Sequence, residues 1–271
     1  MTELQAIPAV LSLSGHDPTG GAGIQADIEA IAGQGCHACS IITALTVQDT
    51  RNVKKVMPQP PMEIAEQFDI LMQDMAVDVI KIGLIGTADC AIALAEMLRN
   101  HPTIPVVLDP VLSAGGGKPL ADAALIEAIR ERLMPHTTVL TPNSEEARRL
   151  APDIETLDQC GLFLLSQGCR YVLITGTHEP GPTVCNRLFA DHRRIETFSW
   201  DRLPHSYHGS GCTLASTIAA GLARGQPPIQ AIRKAQEYTW NALNTGFRPG
   251  KGQYLPNRFP RREKKRAAPL S

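Results

Sequence analysis

The sequence has no bulk charge of either sign and no long hydrophobic run. Its 26 Lys and Arg residues nearly balance 27 Asp and Glu residues, so the whole chain shows no bias towards nucleic acid. No apolar run approaches the ~20 residues that a membrane helix requires. The first residues contain no basic segment followed by an apolar one, which argues against secretion. We therefore expect a cytoplasmic protein that binds neither nucleic acid nor membranes.

A disulfide framework and a zinc-binding pattern are also missing. The seven cysteines are odd in number and irregularly spaced, which favours reduced thiols. Cys36 and Cys39 have the spacing of half a zinc site, but no second pair follows at a suitable distance. The sequence thus predicts no zinc site.

The usual nucleotide-binding signatures are absent, but two other glycine-rich stretches are present. Neither the pattern G-x-x-x-x-G-K-[ST] nor the protein-kinase pattern G-x-G-x-x-G occurs. Residues 15–23 follow a predicted buried strand, and residues 209–213 precede a run of small and apolar residues that predicts a buried helix. The free N–H groups and the dipole at a helix N-terminus favour an anion such as phosphate. Either stretch alone is more typical of an ordinary tight turn.

Predicted strands alternate with predicted helices along most of the chain. This pattern indicates a mostly parallel sheet with helices on both faces, in which ligands bind at the carboxyl ends of the strands. We predict a single domain over residues 1–247, followed by a basic tail over residues 248–271. The tail has eight Lys and Arg residues and one acidic residue, and we interpret it as a solvated, poorly ordered end. An arm for an anionic partner is the alternative.

Two acidic clusters follow predicted strands. Asp109 follows one of them, and Asn143 with Glu145 and Glu146 follows another. Carboxylates suit Mg²⁺ and glycine-rich turns suit phosphates, so together these stretches predict a site for a nucleoside triphosphate. For Glu146, the alternative is a carboxylate stabilised by the dipole of its own helix.

Six segments, taken in order, strongly resemble the hydroxymethylpyrimidine/phosphomethylpyrimidine kinases of thiamine biosynthesis, a branch of the ribokinase-like superfamily. The segments are GGAGIQAD at 20–27, ITALTVQDT at 42–50, KIGL at 81–84, LDPV at 108–111, TPN at 141–143 with Glu146, and HGSGCT at 208–213. The resemblance implies a ribokinase-like three-layer α/β/α sandwich with a mostly parallel central sheet, and a homodimer. It implies ATP and Mg²⁺ as cofactors and a small pyrimidine as substrate. It also implies two transfers, first to 4-amino-5-hydroxymethyl-2-methylpyrimidine and then to its monophosphate, which becomes the diphosphate.

The resemblance also implies roles for individual residues. The residues expected to contact the pyrimidine are Gly15, Asp27, Gln48, Leu84 and Val111. The residues expected to form the catalytic anion hole are Gly209, Gly211 and Cys212. The residues expected near the nucleotide are Asn143, Thr175 and Ser210, and those expected around Mg²⁺ are Asp109 and Glu146.

The charges at Cys212 and Thr175 affect what the implied site can do. A helix N-terminus lowers the pKa of a thiol, so a thiolate of Cys212 could accept the hydroxyl proton. A loose phosphoryl-transfer transition state requires little from a base, so we expect Cys212 to position and assist while the backbone amides and Mg²⁺ contribute most of the rate. Relatives commonly have a lysine at the position of Thr175, and threonine cannot neutralise phosphate charge. Lys118, in a glycine-rich loop, is a possible substitute, although a solvated lysine is the simpler interpretation.

Two other functions stay open at this point. A pyridoxal-type kinase has a similar cysteine-containing anion hole and also acts on a flat heteroaromatic ring with a hydroxymethyl group. A pyrimidine-binding sensor without transfer activity would fit the threonine at position 175, but the intact turn at 209–213 argues against it.

Overall fold

One sheet forms the centre of the computed structural model, which describes residues 7–259. Within that part of the chain the strands are β1 Ala9–His16, β2 His37–Gln48, β3 Val53–Pro58, β4 Val79–Ile82, β5 Val106–Leu108, β6 Val139–Leu140, β7 Tyr171–Ile174, β8 Thr183–Ala190 and β9 Arg193–Asp201. They are ordered β3-β2-β1-β4-β5-β6-β7-β8-β9 in one nine-stranded sheet. The run from β2 to β7 is parallel, and β3, β8 and β9 pair antiparallel at the edges. The predicted mostly parallel sheet is confirmed.

Helices cover both faces of this sheet. They are α1 Gly23–Gly33, α2 Pro61–Asp74, α3 Ala88–Arg99, α4 Ala123–Ala128, α5 Ser144–Leu150, α6 Leu157–Ser166, α7 Ser210–Ala223 and α8 Pro228–Asn244. Successive residues of a strand point to opposite faces, so Val10 packs in one core with helices α1, α7 and α8. Leu11 and Leu13 pack in the other core with α2, α3, α4 and α6. The result is a three-layer α/β/α arrangement.

The parallel strands bring the predicted motifs to one edge of the sheet. Parallel neighbours end on the same side, so residues that directly follow β1, β4, β5, β6 and β7 become neighbours in space. Helix α7 packs against β1, β4 and β5, and its first turn lies at that same edge. Within residues 7–259, no helix is both long and apolar enough to cross a bilayer.

The predicted boundary at residue 247 does not coincide with the end of the packed structure. Phe247 and Leu255 form an antiparallel bridge, and the Asn257 N–H donates to the Ala242 carbonyl at the end of α8. Arg258 is buried, with 3% of its surface exposed. Residues 248–259 therefore belong to the folded domain, because their backbone bonds to it and Leu255 and Arg258 are buried against it. The basic residues after position 259 lie outside the described residues.

Candidate active site

A cavity of about 660 Å³ lies at the carboxyl edge of the sheet. Every residue that the sequence assigned to the site lines this cavity, except Asp27. The lining residues among them are Gly15, Gln48, Leu84, Asp109, Val111, Asn143, Glu146, Thr175, Gly209, Ser210, Gly211 and Cys212. Two glycine-rich stretches that are far apart in sequence thus meet at one site.

The two glycine-rich turns lie in direct contact with each other. Gly209 is the N-cap of α7 and has a φ of 85°, in the left-handed region that favours glycine. A Cβ on Gly209 would overlap the carbonyl oxygen of Gly21, and a Cβ on Gly23 would overlap that of Gly15. The backbones can approach this closely only because these residues have no side chains. The first residues of α7, whose N–H groups have no partner one turn earlier in the helix, line the cavity beside this contact.

A hydrogen bond between Asp17 and His208, which the sequence analysis missed, also joins the two turns. Asp17 accepts hydrogen bonds from the backbone N–H groups of Thr19 and Ala22, at 2.8 and 2.9 Å. Its Oδ2 also lies 2.8 Å from Nε2 of His208, directly before α7. Burial opposes ionisation of Asp17, but the hydrogen bonds from His208 and Thr19 hold its pKa below the usual value. Both residues lie inside the glycine-rich motifs, and that position was their only signal in the sequence.

The surroundings of Cys212 favour the neutral thiol over the thiolate. Burial raises its pKa to about 12, and nearby Asp109 and Asp27 raise it further, while Lys81 and a hydrogen bond from Gly23 lower it only partly. Desolvation and two neighbouring carboxylates thus act against the thiolate that a helix N-terminus would favour.

Asp109 is a buried carboxylate with one oxygen free to bind a ligand. Burial raises its pKa to about 6, and Asp27 adds to that shift, while Lys81 and a hydrogen bond from Cys212 oppose it. Its Oδ2 is buried and has no hydrogen-bond partner within the structure, and its carboxylate lines the cavity. A hard oxygen donor of this kind fits Mg²⁺.

Glu146 has a structural role in the first turn of its helix, where the sequence analysis had weighed only a favourable helix dipole. Its N–H donates to the side chain of Asn143, and its Oε2 accepts from the N–H of Asn143, which completes a capping box on α5. Its Oε1 accepts from the N–H of Leu112, so both oxygens already hold the backbone. Burial, together with Asp109, raises the pKa of Glu146 to about 8.

The carboxylates do not form a complete metal cage by themselves. Among residues 7–259, no group of three or more His, Cys, Asp or Glu side chains is arranged to hold a metal ion. Mg²⁺ in nucleotide sites commonly keeps water and substrate phosphates as most of its ligands. The unpartnered oxygen of Asp109, close to Glu146, fits that mode of binding.

Asp27 lies behind the wall of the cavity and cannot contact a substrate directly. Its side chain is fully buried, and its Oδ2 accepts from Nζ of Lys81 at 2.8 Å and from the hydroxyl of Ser12 at 2.6 Å. Its Oδ1 accepts from the hydroxyl of Ser216 at 2.7 Å. The predicted contact between Asp27 and the pyrimidine is therefore wrong, because its carboxylate is used in this buried cluster.

Lys81 is the second functional candidate that sequence reasoning missed. It is fully buried, and although burial opposes its charge, the carboxylate of Asp27 and the nearby Cys212 and Asp109 raise its pKa. Its charge lies near Asp109 and Cys212 and lowers the pKa of both. A single lysine inside the apolar strand β4 was the available signal, since lysine is almost never buried without a partner.

The β1–β2 end of the cavity offers a flat, partly polar space. Gln48 donates from Nε2 to the hydroxyl of Thr46 at 2.7 Å, which fixes its amide and leaves Oε1 as an acceptor. Leu84 and Val111 supply apolar walls, and a Cβ on Gly15 would lie 2.7 Å from Leu84 Cδ2. An aromatic ring with an exocyclic amino group would be complementary to such a surface.

The structure does not support Lys118 as the substitute for the family lysine. Its Nζ donates to the backbone carbonyl of Lys54 at 2.6 Å, and the residue does not line the cavity. Thr175 lines the cavity and its N–H donates to the carbonyl of Pro142. The position predicted to lie near the nucleotide thus holds a neutral side chain.

Comparison with known proteins agrees with this geometry. The family model described as phosphomethylpyrimidine kinase matches residues 17–257, most of the chain and part of the predicted tail. The chain belongs to the phosphomethylpyrimidine kinase family. A hydroxymethylpyrimidine/phosphomethylpyrimidine kinase of Streptomyces coelicolor is 37% identical over 250 residues, which cover 90% of this chain and 92% of that protein. The thiamine biosynthesis bifunctional protein ThiED of Geobacter sulfurreducens is 37% identical over 249 residues, but the chain spans about half of it, 51%.

Solved structures of other kinases have the same fold, and one of them contains a bound nucleotide. The ADP complex of Bacillus subtilis pyridoxal kinase has a TM-score of 0.86 and 26% identity, and the match covers 94% of this chain and 98% of that one. A phosphomethylpyrimidine kinase from Clostridium difficile 630 has a TM-score of 0.76 and 28% identity, covering 88% of this chain and 100% of that one. The expected ribokinase-like fold is confirmed. As a member of a phosphomethylpyrimidine kinase family, the chain is a phosphotransferase of the ATP-using type.

Proposed function

We propose that this protein uses ATP and Mg²⁺ to phosphorylate 4-amino-5-hydroxymethyl-2-methylpyrimidine and then its monophosphate, giving the diphosphate used in thiamine synthesis. One observation carries the proposal: a single cavity joins the first turn of α7 to the surface formed by Gln48, Leu84 and Val111. A flat ring at one end can therefore present its hydroxymethyl oxygen to a phosphorus held at the other. The relatives in thiamine biosynthesis support this choice of substrate.

The backbone of the α7 turn would provide the main stabilisation of the transferring group. The N–H groups of residues 210–212 have no partner one turn earlier in the helix, and Gly209 and Gly211 leave them accessible. Donors fixed in place cost no reorganisation when charge builds up on the phosphoryl oxygens. We assign Ser210 and Asn143 to positions beside the phosphates, as the family resemblance implies, and both line the cavity.

Asp109 and Cys212 would act beside that turn. Asp109 would hold Mg²⁺ through its unpartnered oxygen and through water, with Glu146 behind it. The ion supplies charge neutralisation on the phosphates when bound. Cys212 would position the hydroxymethyl group with a neutral thiol, since a loose phosphoryl-transfer transition state requires little help from a base.

Product analysis tests the proposal. The full chain is incubated with ATP, Mg²⁺ and the hydroxymethylpyrimidine, and the monophosphate and diphosphate are separated by chromatography. Pyridoxal is tested in parallel at equal concentration. We expect both pyrimidine products, with a higher kcat/KM for the pyrimidine than for pyridoxal. Faster phosphorylation of pyridoxal would favour a pyridoxal-type kinase. Binding of the pyrimidine without ATP consumption would indicate a sensor.

Two further properties stay predictions. The family resemblance predicts a homodimer, which sedimentation analysis would test. It also fits a cytoplasmic location, which fractionation of cells would test.

A further inference from the structure

Arg258 is a buried arginine that the sequence analysis assigned to a poorly ordered tail. Its side chain is 1% exposed, and its Nε donates to the hydroxyl of Thr213 at 2.9 Å. Its Nη2 donates to the carbonyl of Gly21, and its Nη1 lies 3.4 Å from the carbonyl of Gly20. Nη1 also pairs with Glu29 at 3.0 Å. The guanidinium therefore contacts both α7 and the first glycine-rich turn.

The contacts of Arg258 converge on the closest approach of the two turns. Thr213, which accepts from Arg258, donates its own hydroxyl proton to the carbonyl of Gly209 at 2.8 Å. Gly209 packs directly on Gly21, and a Cβ on Gly209 would lie 2.9 Å from Nη2 of Arg258. One rigid planar group thus fixes the carbonyl of Gly21 relative to the N-cap of α7.

The backbone around Arg258 is itself anchored to α8. The Asn257 N–H donates to Ala242, and the hydroxyl of Tyr238 donates to the Arg258 carbonyl. Arg258 does not line the cavity, so it cannot touch a bound phosphate. Any influence on catalysis must act through the two turns that it holds.

We propose that Arg258 is a positioning residue, whose guanidinium holds the turn at Gly20–Gly21 against the first turn of α7 so that the backbone N–H groups converge on the transferring phosphoryl group. The proposal rests on the function proposed above, in which that turn stabilises the phosphoryl group. Displacing a reacting group by about 1 Å can lower a rate by about 100-fold. The pyrimidine end, at Gln48 and Leu84, has no contact with Arg258 and should keep its affinity.

The test compares Arg258→Lys and Arg258→Ala with two controls. Lysine keeps the positive charge, but it lacks the planar guanidinium that donates to Gly21 and Thr213 at the same time. Arg233→Ala removes an exposed arginine that pairs with Glu196. Arg233 lies in neither of the two turns. Glu29→Gln removes only the half-exposed partner of Arg258. For each variant we measure kcat, the KM for the pyrimidine, and amide hydrogen exchange at residues 19–23 and 209–213.

We expect both Arg258 variants to lose kcat, by about tenfold or more for alanine, while the KM for the pyrimidine stays within about twofold of wild type. Hydrogen exchange should accelerate in both turns together. Arg233→Ala should leave kcat and exchange unchanged. Glu29→Gln keeps an oxygen that can accept from Nη1 of Arg258, so its kcat should stay closer to wild type than that of either Arg258 variant. If Arg258→Ala does not fold, Arg258→Lys carries the test alone.

Three results would overturn the inference. The first is an Arg258→Lys or folded Arg258→Ala variant with wild-type kcat. The second is a rise in the pyrimidine KM that matches the loss of kcat, which would indicate general damage. The third is faster exchange in only one of the two turns. Failure of the proposed function is a different result, in which the wild type itself forms no product; the exchange measurement then still decides whether Arg258 couples the turns.

Discussion

Replacing Lys81 with methionine tests whether the buried ion pair beneath the site is structural. Lys81 and Asp27 have side chains with 0% exposure, and their charged atoms are 2.8 Å apart. Methionine is close to lysine in volume, so the substitution removes the charge with little change in packing. It leaves Asp27 buried with only the hydroxyls of Ser12 and Ser216 as partners. Two neutral hydrogen bonds cannot compensate a buried negative charge.

The expected cost is large on the scale of a domain's stability. Removing one member of a buried pair typically lowers the free energy of unfolding by about 3–5 kcal/mol, out of a total of about 5–15 kcal/mol for a typical domain. Asp27→Leu should have a similar effect, since it leaves Lys81 unpaired. The double variant, Lys81→Met with Asp27→Leu, should lose much less than the sum of the two, because neither member of the pair is then left buried without the other.

Urea unfolding monitored by circular dichroism measures these differences in the free energy of unfolding. The exposed pair Arg233 and Glu196 is the matched control, and its removal should leave the unfolding midpoint nearly unchanged. Additive losses in the double variant would refute the reasoning, and so would a Lys81→Met variant as stable as the control. The folded double variant also tests the position of Asp27, because a direct substrate contact would raise its KM for the pyrimidine.

Other substitutions address single features of the site. At pH 7.5, iodoacetamide should alkylate Cys212 far more slowly than free cysteine, since a pKa of about 12 leaves few thiolates; rapid selective alkylation would restore the thiolate mechanism. Gln48→Ala should raise the KM for the pyrimidine about tenfold with little change in kcat, as expected for one lost hydrogen bond, and steady-state kinetics would show it. Gly209→Ala should lower kcat about 100-fold because a Cβ overlaps Gly21, and a wild-type rate would contradict the packing of the turns. Thr175→Lys should lower the KM for ATP about tenfold by adding a charge-assisted hydrogen bond to phosphate; an unchanged KM would mean that this position lies away from the nucleotide.

The location of the site could be predicted because strand order limits where loops can meet. Asp109 and Thr175 directly follow parallel strands, and the carboxyl ends of such strands share one edge. The two glycine-rich stretches were recognisable for a similar reason, since glycine at a turn before a helix indicates close backbone contact. Sequence spacing alone could not show that Gly209 and Gly21 contact each other, because that contact depends on how α7 packs across the sheet.

The error at Asp27 came from treating membership of a motif as evidence of orientation. Ile24, Asp27 and Ile31 are spaced at the helical period, and all three are buried on the same face of α1. That periodicity placed Asp27 towards the sheet, where a charge requires a partner of opposite sign. The lysine in the apolar strand β4 was the candidate partner in the sequence. Reading the two together predicts the ion pair, whereas the motif alone suggests a substrate contact.

The error at the C-terminus came from averaging charge over a segment. Eight basic residues after position 247 predict a solvated arm if they are treated alike. However, Tyr254 and Leu255 precede Arg258, whereas the run from 261 to 266 contains no apolar residue. Apolar residues need a surface to cover them, so they mark where folded structure can continue. Arginine is also the cation best suited to burial among carbonyl groups, because its five donors are fixed in one plane. A boundary drawn from apolar residues would therefore have kept Arg258 inside the domain and left the run from 261 outside it.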